Sequence, residues 1–324
     1  MKSPRIIFFG STTDSVIVAT AIHAKFPLTA VVTQPPKPIG RKQEITPTPV
    51  ELWAKENHIP AVSFANNEQK SWLYTHEEDA VNTLSSFKPD LLISACYGQK
   101  IPTETITHAQ YGGLNIHPSL LPRWRGADPI PWTILSSDHE TGVTIVTLEE
   151  KFDQGNIIDQ KKIPVTDKDY PDLLRTKLFT MGADLLITLL PDYLSGKHKG
   201  KRQKPEDATY ARKLTRADGY IPWEYIDAAV KGIDVPREKR VGILTLSTDH
   251  ITHTITRTLR ALTPWPGVWS LFAIHNKGLK IKEEKRIKIL AAHNENDTLI
   301  LDTVQLEGKN PTDWNTFKKA YAVT

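Results

Sequence analysis

Two apolar patterns alternate along the first half of the chain. Short unbroken runs over 5–10, 29–33, 90–96, 113–116 and 141–148 predict buried strands, the first stopped by Gly10. Segments 15–25, 50–57 and 68–87 between them are compatible with helices, and a Thr-Pro pair opens the second. Unbroken apolar strands separated by helices predict a mostly parallel sheet covered on both faces. Over 172–190, Leu174, Leu178, Met181, Leu185 and Leu189 recur every three or four residues, which predicts a core-facing helix. After about residue 207 the texture changes. Helix patterns at 223–230 and 252–262 precede strand patterns at 268–274, 280–291 and 298–305, and a helix over 312–322 closes the chain. Short strands broken by turns predict a small antiparallel barrel or sandwich.

Composition narrows this only a little. A length of 324 residues allows about two domains. The run GKHKGKRQK at 196–204 reads as a solvated basic boundary between them. We therefore expect a first domain over 1–194, a basic linker over 195–206 and a second domain over 207–324. A net charge of +4 permits an anionic partner without demanding one. A single cysteine, Cys96, excludes an internal disulfide and a cysteine-based zinc site, and makes a reducing cytoplasm the default. No apolar run is long enough to span a membrane, and the first residues do not read as a secretory signal.

Candidate chemistry concentrates in two motifs. The turn after the first strand has one glycine, Gly10, where a dinucleotide fingerprint needs three, and no Walker lysine or metal-ligand spacing occurs. In NIHPSLLPRWRG, Asn115 and His117 stand two apart at a strand end and so share a face, at the carboxyl edge where open α/β sheets bind ligands. Both can hydrogen-bond an oxyanion formed during acyl transfer. Asp153, in KFDQG, adds a carboxylate on a turn that can orient His117 or accept a proton. Spacing alone leaves the ordinary reading open, since a histidine after a strand and an Asp-x-Gly turn are both common without catalysis.

NIHPSLLPRWRG followed by ETGVTIVTLEEKFDQGNI resembles the 10-formyltetrahydrofolate-dependent formyltransferases. The resemblance implies a Rossmann-like α/β catalytic domain and a small OB-like barrel after it. It implies catalytic roles for Asn115, His117 and Asp153. It places Ser119, Leu120, Leu121 and Pro122 beside a folate pocket, and the Tyr97-Gly98 turn against the pteridine or formyl group. The implied co-substrate is 10-formyltetrahydrofolate, with no metal.

Further blocks resemble the branch of that family acting on initiator methionyl-tRNA. VVTQPPKPIGR at 31–41 resembles an inserted loop that meets the tRNA acceptor end. YARKL at 210–214 and PWPG at 264–267 resemble its C-terminal domain. The implied tRNA contacts are Lys37, Arg41 and Lys42 on the loop and Lys199, Lys201, Arg202 and Lys204 in the basic run. The loop departs from the family in running Lys42-Gln43-Glu44, which makes it less basic. A tRNA that reaches both domains implies a monomer. Trp265 and Trp269 read as core aromatics. The alternative acceptor is a nucleotide-linked amino sugar.

Overall fold

The computed structural model describes residues 3–40, 42–275 and 282–321. The elements in chain order are β1 (Ile6–Phe9), α1 (Thr13–His23), β2 (Leu28–Thr33), β3 (Lys37–Ile39), β4 (Glu44–Thr46), α2 (Pro49–Glu56), β5 (Ala61–Ser63), α3 (Glu77–Ser86), β6 (Leu91–Ser94), α4 (Thr103–His108), β7 (Gly113–His117) and β8 (Arg125–Gly126). They continue with α5 (Pro129–Leu135), β9 (Glu140–Thr147), β10 (Ile157–Pro164), α6 (Pro171–Leu194), β11 (Tyr210–Ala211), α7 (Trp223–Val230), α8 (Ile251–Leu262), β12 (Val268–His275), β13 (Lys282–Glu295), β14 (Thr298–Leu306), β15 (Thr312–Asp313) and α9 (Trp314–Tyr321).

The chain forms two compact units. The first comprises Met1–Pro129, Glu140–Pro164 and Leu173–Arg212, and the second Ile130–His139, Val165–Asp172 and Lys213–Thr324. The sequence places the change of domain at 195–206. In the structure that segment stays with the first unit, because the backbone of Lys201 pairs with Ile157 at the start of β10. The basic run is therefore partly structured. Its composition could not reveal a pairing partner some forty residues earlier.

The first unit is built on a seven-stranded sheet in the order β10-β9-β7-β6-β1-β2-β5. The five strands from β7 to β5 run parallel, β9 runs against them, and the edge strand β10 pairs antiparallel with β9 and so shares the direction of the five. Alternation sends Ile6 and Phe8 into one core with Leu114, Ile116, Phe179 and Leu186, and sends Ile7 and Phe9 into another with Leu92, Tyr97 and Ile106. The two-faced covering expected from unbroken apolar strands is thus present. Along α6, Leu174, Leu178 and Leu189 are buried as expected, while Met181 and Leu185 are half-buried and Phe179 and Leu186 complete the face.

The second unit carries the four-stranded antiparallel sheet β12-β13-β14-β15, where the sequence predicts short strands. Its core includes Trp223 edge-on to Phe272 at 4.7 Å and Phe272 edge-on to Phe317 at 5.6 Å. Trp269 is half-buried and donates from its indole nitrogen to the Arg216 carbonyl. Trp265 is 51% exposed, so the expectation of a core aromatic fails there; it stands in the turn between α8 and β12, outside the packed face.

Candidate active site

The carboxyl ends of β1, β6 and β7 lie side by side, and chain order reverses at β1, flanked by β2 and β6. Such an edge leaves a crevice above the sheet. The turn after β1 is held to the turn after β6. Ser15 donates to the Ala95 carbonyl at 2.7 Å, and Ser11 donates to the Tyr97 carbonyl at 3.1 Å. Gln34 donates to that same carbonyl at 3.0 Å. The Tyr97 ring itself is buried against Phe9 and shares a 2.8 Å hydroxyl contact with Tyr74. Burial is the main reason both phenols are pushed well above their ordinary range. The Tyr97 phenol is therefore turned into the core, away from the strand ends.

Asn115 and His117, alternate residues of β7, point to one face as their spacing predicts. Asp153 meets both: its Oδ1 lies 3.5 Å from Asn115 Nδ2 and 3.4 Å from His117 Nδ1. Its Oδ2 accepts the Gly126 amide at 2.8 Å. His117 and Asp153 are largely shielded, with side chains 5% and 9% exposed. His117 Nε2 faces the Trp124 carbonyl at 2.9 Å. A carbonyl can only accept, so Nε2 carries a proton. Nδ1 is left facing the Asp153 carboxylate at 3.4 Å.

The loop after β7 is pinned from below. Thr144 donates to the Ser119 carbonyl at 2.6 Å, and its hydroxyl accepts the Leu121 amide at 3.1 Å. Ser119 donates to the Arg123 carbonyl at 2.6 Å. Ser119 and Leu121 are buried, whereas Leu120 and Pro122 are half-buried. Gly126 adopts a φ of +115°, and a Cβ there would lie 2.7 Å from the Ala211 carbonyl oxygen of β11. Across the site, Gly155 is packed so closely that a Cβ would lie 2.0 Å from the Thr147 carbonyl oxygen.

Comparison with known proteins places this fold. The formyl transferase family model matches residues 4–190. The chain belongs to the formyl transferase family. It is 36% identical over 279 residues to a methionyl-tRNA formyltransferase of Listeria monocytogenes serovar 1/2a, covering 86% of this chain and 78% of that protein. It is 34% identical over 330 residues to a methionyl-tRNA formyltransferase of Listeria monocytogenes serotype 4b, covering 97% and 94%. Among solved structures, an N-formyltransferase from Helicobacter canadensis in complex with folinic acid and dTDP-3-aminofucose superposes with a TM-score of 0.57 at 17% identity, covering 90% and 89% of the two chains. That likeness is one of fold.

Within this formyl transferase fold, the predicted tRNA contacts lie apart from the trio in sequence. Lys37 and Lys42 are exposed, and Arg41 lies outside the described residues. Within the segment 31–41 expected to form a loop, Lys37–Ile39 instead form β3, which pairs antiparallel with β4 (Glu44–Thr46) in a hairpin and leaves Ile39 and Ile45 exposed to solvent. Its strands are exposed and polar on average, so no alternation marked them. Lys199, Lys201, Arg202 and Lys204 are exposed. Gln203, among them, is 5% exposed and faces inward. Sequence reasoning missed it, because an uncharged polar residue beside Lys201, Arg202 and Lys204 gives no sign of facing inward.

Proposed function

We propose that this formyl transferase moves the formyl group of 10-formyltetrahydrofolate to the α-amine of initiator methionyl-tRNA, as a cytoplasmic monomer. The observation that carries the reading is the convergence of Asn115, His117 and Asp153 at the carboxyl edge. The near-full-length likeness to methionyl-tRNA formyltransferases supports the acceptor. The edge suits a folate donor in kind. Leu120 and Pro122, both half-buried, offer an apolar wall, and the Tyr97–Gly98 turn follows β6 at the same end of the sheet.

The amine attacks the formyl carbon as a neutral nucleophile, which its free pKa of about 7.7–8.0 makes accessible. A carbon–nitrogen bond forms and the carbonyl electron pair moves to oxygen. Asn115 Nδ2 donates to that oxygen. The Asp153–His117 edge takes the proton released by the amine and returns one to N10 of the folate. The carbonyl then reforms, the bond to N10 breaks, and formyl-methionyl-tRNA and tetrahydrofolate leave. No covalent enzyme intermediate is required, because the amine is already competent.

The decisive experiment supplies 10-formyltetrahydrofolate with charged initiator tRNA and follows both products. Asn115→Ala should lower turnover by about 10²–10³, and His117→Ala by about 10²–10⁴, while tRNA still binds. Near-normal turnover in either variant would remove that residue from catalysis. Transfer to a nucleotide-linked amino sugar with methionyl-tRNA ignored would overturn the acceptor.

A further inference from the structure

We infer that Gln203 is the positioning residue of this site, and that it clamps the turn bearing Asp153 from within the basic segment. The inference rests on the reading that Asp153 is catalytic. Asp153 has a φ of +58°, in the left-handed region that residues with a side chain occupy uncommonly, aspartate more readily than most. Gln203 Nε2 donates to the Asp153 carbonyl at 2.7 Å and to the Gly155 carbonyl at 2.8 Å. Both hydrogens of the amide are thereby used on the backbone of one turn. Its Oε1 accepts twice from Arg125, from Nε at 3.1 Å and from a terminal nitrogen at 2.8 Å.

The amide therefore cannot rotate without breaking bonds at both ends. Arg125 and Gln203 are 4% and 5% exposed, so water does not easily replace a broken bond. Arg125 also precedes Gly126, whose amide holds Asp153 Oδ2. The bonds form a closed circuit: carboxylate to Gly126, along the chain to Arg125, across to Gln203, and back to the Asp153 carbonyl. A second tie fixes the segment itself, where the Lys201 backbone exchanges hydrogen bonds of 2.7 and 2.8 Å with Ile157. Gln203 touches no reacting atom. What it controls is where the carboxylate stands relative to Asn115 and His117.

Two variants separate positioning from mere support. Gln203→Glu keeps the acceptor for Arg125 but turns oxygen toward two carbonyls. Gln203→Met keeps the length and removes every bond. Turnover, KM for each substrate and hydrogen exchange of the Gly126 amide are measured on the full chain. We expect kcat to fall about 10–100-fold in both, with KM within about twofold and faster Gly126 exchange. Any of four results overturns the proposal: kcat retained within about twofold, a loss confined to KM, kcat lost with Gly126 exchange unchanged, or failure of both variants to fold. If the unaltered enzyme does not formylate methionyl-tRNA, the functional reading falls. Gly126 exchange needs no substrate and still decides for Gln203.

Discussion

At the scale of single residues, the partner decides the chemistry. His117 has its Nε2 proton fixed by the Trp124 carbonyl, so its Nδ1 edge is the one that faces Asp153. Cys96 shows the opposite case. It packs against the sheet core, and burial pushes its thiol up to about 12, so it remains protonated at neutral pH and offers no nucleophile. In the second unit, His293 lies between Asp302 at 2.9 Å and Glu295 at 3.3 Å. Those bonds, Asp302 first, raise its pKa above 6.5. The stabilisation is present in full below 6.5 and is lost as pH rises through the raised value. Asp302→Asn should lower the midpoint, and a proton-NMR titration of His293 checks it; an unchanged midpoint removes Asp302 as the cause.

At the scale of elements, the turn over 151–155 is the part on which the site depends. Gly155→Ala would force a Cβ to within 2.0 Å of the Thr147 carbonyl oxygen, so strand and turn must part. We expect a loss of about 1–3 kcal/mol by denaturant titration together with reduced turnover. Stability equal to the parent protein would show that the turn yields freely. Other elements show where local patterns mislead. The helix expected over 68–87 begins only at Glu77, because the Asn67 side chain accepts the Gln69 and Lys70 amides at 3.1 and 3.0 Å and holds a turn there. β10 lies outside the expected strands altogether. Its Asp159, Gln160, Lys161 and Lys162 are polar and carry no apolar alternation, yet they form an edge strand paired to β9. Core strands and the amphipathic α8, with Ile251, Ile255, Leu259 and Leu262 buried, followed directly from their spacing.

At the scale of the whole molecule, charge is modest and unevenly placed. The +4 total does not by itself select nucleic acid, but Lys199, Lys201, Arg202 and Lys204 stand exposed within six positions. If they meet phosphates, replacing all four by alanine should weaken tRNA binding and flatten its dependence on salt, by roughly one slope unit for each phosphate no longer neutralised. Rates at limiting tRNA over a range of salt concentrations test this, and an unchanged slope would move the tRNA surface elsewhere. Arg41→Ala belongs in the same series.

The sequence by itself determined the alternation of strands and helices, the shared face of Asn115 and His117 and the family, because these depend on local spacing and contiguous motifs. Only the tertiary structure decided that the basic run is tied to Ile157, that Gln203 turns inward and that the proton of His117 lies on Nε2. Each of these depends on which group a distant segment of chain brings within hydrogen-bonding distance, and residue order does not encode that distance.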